Sequence, residues 1–156
     1  MKHDTLGNMK VMICGSMTFA KEMVDMKGKL EALGHAALVP LDVNSHVKNS
    51  KLVDDLDSNL KHAIEKNIMK RCFDLVAESD AILVLNYLKN GIKGYVGTST
   101  LMEIGLAYYL GKKIFLLNTI PKSKEARWVH ELEVMQPIII NGDLKKIAQD
   151  KKYRAT

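Results

Sequence analysis

The stretch Gly94-Tyr95-Val96-Gly97-Thr98-Ser99-Thr100-Leu101-Met102-Glu103-Ile104-Gly105-Leu106-Ala107 joins a loop rich in glycine and hydroxyl residues to the start of a helix. An apolar run, residues 81–85, precedes it, and a second one, residues 114–117, follows it. A strand, a loop, a helix and another strand form a βαβ unit. In such a unit the loop meets the free backbone N–H groups of the helix N-terminus, which attract anions. The stretch therefore predicts a ligand-binding crevice with one carboxylate, Glu103, near the start of its helix.

The rest of the chain repeats this alternation and predicts a single α/β domain. Alternating strands and helices indicate a parallel sheet with helices on both faces. Five strands favour the order 2-1-3-4-5 of a flavodoxin-like, Rossmann-like three-layer fold. Residues 41–56 are polar and long enough to be a functional loop. The apolar patterns place strands at residues 10–14, 36–39, 81–85, 114–117 and 137–140, and helices at residues 18–33, 57–78, 101–110, 124–135 and 144–149.

Length and composition support one compact domain. A chain of 156 residues that is 47% hydrophobic can bury a proper core. We place the domain at residues 10–150, between a flexible lead-in, residues 1–9, and a flexible tail, residues 151–156. No apolar run approaches the roughly 18 residues of a membrane span, and the N-terminus lacks a signal-peptide core. With two cysteines that share no metal-ligand spacing, we expect a cytoplasmic protein without a membrane partner.

The positive charge does not indicate a nucleic-acid partner. The net charge is +5, but lysines and arginines are scattered, and their densest cluster near the C-terminus lies beside Asp143 and Asp150. This pattern is typical of a solvated helix and tail, and no helix-turn-helix or aromatic-basic motif accompanies it. The excess charge can instead attract a phosphorylated metabolite. The five histidines show no metal-ligand spacing, so we expect neither a metal nor another cofactor.

The predicted strand order locates the crevice. In this fold ligands bind outside the carboxyl ends of strands one and three, where the order reverses. We expect residues 15–18, residues 86–100 and Asn118 to converge there, with Asn86 among the substrate-binding residues. The fold thus brings Ser16 and Glu103 to one crevice.

Three segments, in this order, resemble the nucleoside 2-deoxyribosyltransferase superfamily, which includes deoxynucleoside 5′-monophosphate N-glycosidases. They are Cys14-Gly15-Ser16, Asp74-Leu75-Val76-Ala77-Glu78-Ser79-Asp80 and Gly97-Thr98-Ser99-Thr100-Leu101-Met102-Glu103-Ile104-Gly105-Leu106-Ala107. The similarity runs from about residue 10 to residue 118, and the Cys-Gly-Ser opening is most similar to the N-glycosidase branch.

The resemblance implies cleavage or transfer at the N-glycosidic bond of a nucleoside or nucleoside 5′-monophosphate. It implies that Glu103 is the nucleophile that attacks the anomeric carbon and that Asp74 assists at the base or sugar. It also implies a homo-oligomer, a dimer or a tetramer. The sugar hydroxyls or a phosphate would be bound by Gly15, Ser16, Gly97, Thr98 and Ser99.

Some alternatives stay open. Six residues before the glutamate, the family's transferases carry an aspartate and its monophosphate hydrolases a serine, whereas this chain has Gly97. The first-strand loop also lacks the arginines of the hydrolases, so free nucleosides and monophosphates both remain candidate substrates. Thr100 and Glu103 have the spacing of a capping box, which needs no catalytic role. The alternative to an enzyme is a non-catalytic nucleotide-binding or sensor module that uses the same crevice.

Overall fold

The structure, a computed structural model, describes residues 7–148 and shows a five-stranded, all-parallel sheet. The strand order is β2-β1-β3-β4-β5, so the predicted fold class and order are confirmed. The strands are β1 Lys10–Cys14, β2 Ala36–Leu38, β3 Ala81–Val84, β4 Lys113–Leu116 and β5 Ile138–Ile139. The helices are α1 Ala20–Ala32, α2 Val43–Lys48, α3 Leu56–Glu65, α4 Ile68–Glu78, α5 Thr98–Tyr109 and α6 Val129–Val134, with 3-10 turns at Met17–Phe19 and Leu144–Lys146.

Two apolar cores lie on the two faces of the sheet, because successive strand side chains point to opposite faces. On one face, Val11 and Ile13 of β1 pack with Leu30 of α1. On the other face, Met12 of β1 packs with Ile104 of α5. Strands that are buried on both faces read as continuous apolar runs, which is why the sequence predicts β1, β3 and β4 so closely.

Several predicted helices differ from the structure. The single helix predicted at residues 57–78 is two helices, α3 and α4, because Asn67 adopts a left-handed conformation (φ 53°, ψ 42°) between them. The predicted loop at residues 41–56 contains α2. The helix predicted at residues 124–135 shortens to α6, and the last helix is a 3-10 turn, with residue 149 outside the described part of the chain.

The predicted lead-in and tail fall mostly outside the described residues, which exclude residues 1–6 and 149–156. Met9, the last residue of the predicted lead-in, is buried in the core. Its N–H donates a hydrogen bond to Nδ1 of His35 at 3.0 Å. Met9 is therefore packed into the domain.

Candidate active site

A cavity of about 660 Å³ lies at the carboxyl ends of the strands. The loops after β1, β2 and β3 form its floor, and α3, α4 and the first two turns of α5 form its walls. This is the position at which the strand order reverses between β1 and β3. Of the three segments that were predicted to converge, the two after β1 and β3 line the cavity, whereas Asn118 is not among the lining residues.

Glu103 lines this cavity and is 9% exposed. Helix α5 begins at Thr98, with Gly97 as its N-cap residue, so Glu103 is the sixth helical residue and lies in the second turn. The capping-box alternative is therefore wrong, since Thr100 lies inside the helix and no side chain caps its N-terminus. The dipole of the helix acts most strongly in the first turn, and Glu103 lies beyond that turn.

Burial sets the protonation of Glu103. Removal from solvent raises the pKa of its carboxyl from 4.5 to about 7. A hydrogen bond from the Cys14 thiol lowers this pKa, and the nearby negative charge of Asp42 raises it. Near neutral pH the group is thus divided between its carboxylate and its acid form, which suits a nucleophile or a proton carrier.

A hydroxyl group and an ammonium group lie together at the floor of the cavity. Nζ of Lys89 donates a hydrogen bond to Oγ of Ser16 at 2.7 Å and lies 5.6 Å from the centre of the Tyr95 ring. Oγ of Ser16 also accepts a hydrogen bond from the Thr18 N–H at 3.3 Å, which caps the first 3-10 turn. Lys89 is the only lysine or arginine among the described residues that line the cavity.

Five of the predicted binding residues share this cavity. Gly15 and Ser16 follow β1, and the other three open helix α5. A side chain at position 15 would meet the Leu85 carbonyl oxygen and Met23 at 3.3 Å, so glycine allows the close approach of the β1 and β3 ends. The five residues are Gly15, Ser16, Gly97, Thr98 and Ser99.

Asp74, predicted to be catalytic, lies outside this cavity. Its side chain is 62% exposed, and its Oδ2 is 2.8 Å from Nζ of Lys70, one helical turn earlier on α4. The preceding residues Cys72 and Phe73 line the cavity, so α4 turns Asp74 away from it. We therefore leave Asp74 out of the candidate active site.

Asn86, predicted to bind substrate, joins two loops instead of lining the cavity. Its Nδ2 donates a hydrogen bond to the Asn118 carbonyl at 2.7 Å, and its Oδ1 accepts one from the Asn118 N–H at 2.8 Å. Nδ2 of Asn118 donates to the Asn86 carbonyl at 3.3 Å. Two of these bonds use the amide nitrogen and oxygen of the buried Asn86 side chain, so Asn86 positions the loop that carries Lys89 and the start of α5.

Sequence reasoning gave no site role to three Asp and His residues that line the cavity: Asp42, His46 and His62. Asp42 lies in the loop after β2, four residues beyond the end of the strand, and its Oδ2 is 3.1 Å from Nε2 of His46 on α2, with both residues buried. A signal was available, because the carboxyl end of β2 borders that of β1 in the predicted strand order. The i and i+4 spacing of Asp42 and His46 becomes visible as a pair only once α2 is known.

Within residues 7–148, no group of three or more His, Cys, Asp or Glu side chains is placed to hold a metal ion. No helix in the same range is long and apolar enough to cross a membrane.

The geometry of the cavity is the basis for assigning a function to this chain. In comparisons with known proteins, the chain matches no protein-family model, no curated protein and no solved structure.

Proposed function

We propose that this chain cleaves or transfers at the N-glycosidic bond of a nucleoside or nucleoside 5′-monophosphate, with Glu103 as the nucleophile. The observation that carries the proposal is the buried Glu103 carboxyl on the wall of a cavity that also presents Ser16 and Lys89. The similarity of the Gly97–Ala107 segment to the nucleoside 2-deoxyribosyltransferase superfamily supports the same role.

The size and lining of the cavity suit a nucleoside. Small-molecule sites commonly have volumes of roughly 300–1,000 Å³ and combine apolar walls with a few polar groups, and this cavity measures about 660 Å³. The wall formed by α3 and α4 is mainly apolar, which suits the faces of a flat base. Its apolar members are Leu56, Leu60, Ala63, Ile68, Met69 and Phe73.

The polar end of the cavity suits the sugar and its 5′ substituent. The ammonium of Lys89 and the hydroxyl of Ser16 lie within one hydrogen bond of each other. The first-turn N–H groups of α5, at Thr98 and Ser99, are donors without an intrahelical partner on the same cavity. Lys89 supplies a cation that the first-strand loop lacks, so a monophosphate is a suitable substrate.

In this reaction the ionised Glu103 attacks the anomeric carbon while the bond from that carbon to the base nitrogen breaks. The electron pair of that bond leaves with the base, and an ester joins Glu103 to the sugar. Attack by water on the same carbon then gives the free sugar, whereas attack by a second base gives a new nucleoside. The transition state resembles an oxocarbenium ion, which a nearby carboxylate stabilises.

The test is to incubate the protein with ribo- and deoxynucleosides and their 5′-monophosphates, with and without a free acceptor base. We expect released or exchanged base from at least one of these compounds and none with Glu103→Gln. Mass spectrometry of an acid-quenched reaction should find the sugar attached to Glu103. Base release that survives in Glu103→Gln contradicts the nucleophile, and binding without any turnover would support the sensor module instead.

A further inference from the structure

A buried pair of ionisable side chains, Asp42 and His46, forms part of the cavity wall and has no role in the mechanism above. Oδ2 of Asp42 is 3.1 Å from Nε2 of His46, and the two residues are 8% and 3% exposed. Since β1 lies between β2 and β3, this pair and Lys89 lie on opposite sides of the loop after β1. The pair therefore borders the cavity on its β2 side, and Lys89 borders it on its β3 side.

The pair also keeps unused hydrogen-bonding capacity. Oδ1 of Asp42 and Nδ1 of His46 are both buried, and neither has a hydrogen-bond partner among the described residues. Buried polar atoms are nearly always paired in folded proteins, and unpaired ones are commonly found where a function uses them. A ligand that reaches these atoms displaces no hydrogen bond within the protein.

The existing bond decides what Nδ1 of His46 can do. An ionised Asp42 only accepts hydrogen bonds, so Nε2 of His46 is the donor between them. In the imidazolium form of the ring, Nδ1 also carries a proton. Nδ1 is then a proton donor whose orientation is fixed through Asp42. The same carboxylate acts on Glu103, whose pKa its charge raises, so the pair lies within electrostatic range of the nucleophile.

We propose that His46, positioned by Asp42, is the general acid that protonates the departing base. This inference rests on the proposed function. When the bond between the anomeric carbon and the base nitrogen breaks, the base takes its electron pair and would leave as an anion. Transfer of the Nδ1 proton of His46 to the base lets it depart neutral and leaves a neutral imidazole. The imidazole regains a proton from the attacking water in hydrolysis, or from the N–H of the incoming base in transfer. In this scheme His46 is catalytic and Asp42 is a positioning residue.

The experiment compares a purine nucleoside or monophosphate that the protein turns over with its 7-methylguanine counterpart. The methylated base carries a fixed positive charge and departs neutral without receiving a proton. We expect His46→Gln to lower kcat/KM by about 10²- to 10⁴-fold on the unmodified substrate and by only a few-fold on the methylated one. Asp42→Asn should show the same selective loss, because an amide can present its N–H where the carboxylate oxygen accepts from Nε2 of His46, and it then no longer orients the ring.

His62→Gln is the matched comparison, since His62 also lines the cavity and its Nε2 has no hydrogen-bond partner within residues 7–148. Near-UV circular dichroism checks that each variant is folded, and His46→Asn replaces His46→Gln if the latter is not. Equal losses on both substrates in a folded His46 variant would reduce the pair to a structural role and overturn the inference. A selective loss in His62→Gln alone would also overturn it. A wild-type protein that cleaves neither substrate form would remove the proposed function and this inference together.

Discussion

The Lys89 ammonium lies 2.7 Å from the Ser16 hydroxyl and so joins the loop after β3 to the loop after β1 at the floor of the cavity. The two residues are far apart in the sequence and meet because β1 and β3 are neighbours in the sheet. A lysine that follows β3 thereby supplies positive charge to a first-strand loop that carries none. Under the proposed function, this contact predicts that Lys89 affects how well a substrate with a 5′-phosphate is used.

Lys89→Gln should weaken the use of nucleoside 5′-monophosphates and leave free nucleosides nearly unaffected. A hydrogen bond between charged groups contributes about 1.5–3 kcal/mol, so we expect kcat/KM on monophosphates to fall roughly 10- to 100-fold. Lys93→Gln is the matched control, because Lys93 is an exposed lysine of the same loop that does not line the cavity. Equal losses on nucleosides and monophosphates would contradict a phosphate-binding role for Lys89.

Asp74→Asn should leave base release within about twofold of wild type. Its carboxylate is exposed and pairs with Lys70 on the surface of α4, and exposed pairs of this kind typically contribute less than about 1 kcal/mol. The measurement is kcat/KM on the best substrate of the panel, with Glu103→Gln run alongside. A large loss of activity in a folded Asp74→Asn protein would return Asp74 to the catalytic site.

Glu103 should make the folded state less stable as pH rises. Its pKa is raised from 4.5 to about 7, so between these pH values the folded chain binds more protons than the unfolded chain. Stability therefore falls as pH rises through this window, by about 3 kcal/mol in total. Urea denaturation of wild type and Glu103→Gln at pH 4 and pH 8 isolates this effect from other titrating groups. Relative to wild type, Glu103→Gln should be more stable at pH 8 than at pH 4. A stability difference between the two proteins that is the same at both pH values would contradict the raised pKa.

The same shift predicts how activity depends on pH. A nucleophile must be ionised, so kcat/KM should rise with pH through a midpoint near 7. The 7-methylguanine substrate is suited to this measurement because its departure needs no proton donor. A midpoint near 4.5 would show that Glu103 is solvated in the active protein.

Gly94→Ala should destabilise the domain far more than Gly91→Ala. Both glycines have φ of +74°, so each substitution bears the cost of a left-handed conformation, about 1–2 kcal/mol. A Cβ at position 94 would lie 2.1 Å from the Thr119 carbonyl oxygen, whereas one at position 91 meets open space. Thermal unfolding of the two variants separates the clash from the backbone cost. Equal midpoints would show that the loops after β3 and β4 can separate freely.

The sheet could be predicted from the sequence because buried parallel strands are continuous apolar runs bounded by breaks. The start of α5 could not, since Thr100 and Glu103 fit a capping box as well as they fit a helix interior. Gly97 decides between the two readings: its extended backbone (φ −80°, ψ 170°) makes it the N-cap and moves the helix start to Thr98. The break at Asn67 was also hidden, because apolar residues continue at helical spacing across it.

The candidate site was predicted in part. The strand order placed the loops that carry Glu103 and the five binding residues at one crevice, and the family resemblance implied their roles. The cavity brings these six residues together. Asp42 and His46 were hidden in a polar segment, because their pairing depends on α2, a helix too short to leave a periodic signal. The exposure of Asp74 depends on which face of α4 packs on the sheet. Near the C-terminal end of this helix, the apolar pattern was compatible with either a buried or an exposed Asp74.

The left-handed residue Asn67 separates α3 from α4, and these two helices of the cavity wall differ in how firmly they are packed on the core. Helix α3, though it lines the cavity, contains no buried residue among the ten that the structure describes for it, whereas α4 anchors Cys72 and Val76 in the core. Detaching α3 consequently exposes little core and leaves the sheet intact, so its amides should exchange hydrogen faster than those of α4 and α5. Loosening α3 would therefore open this wall of the cavity at a free-energy cost well below that of unfolding the domain.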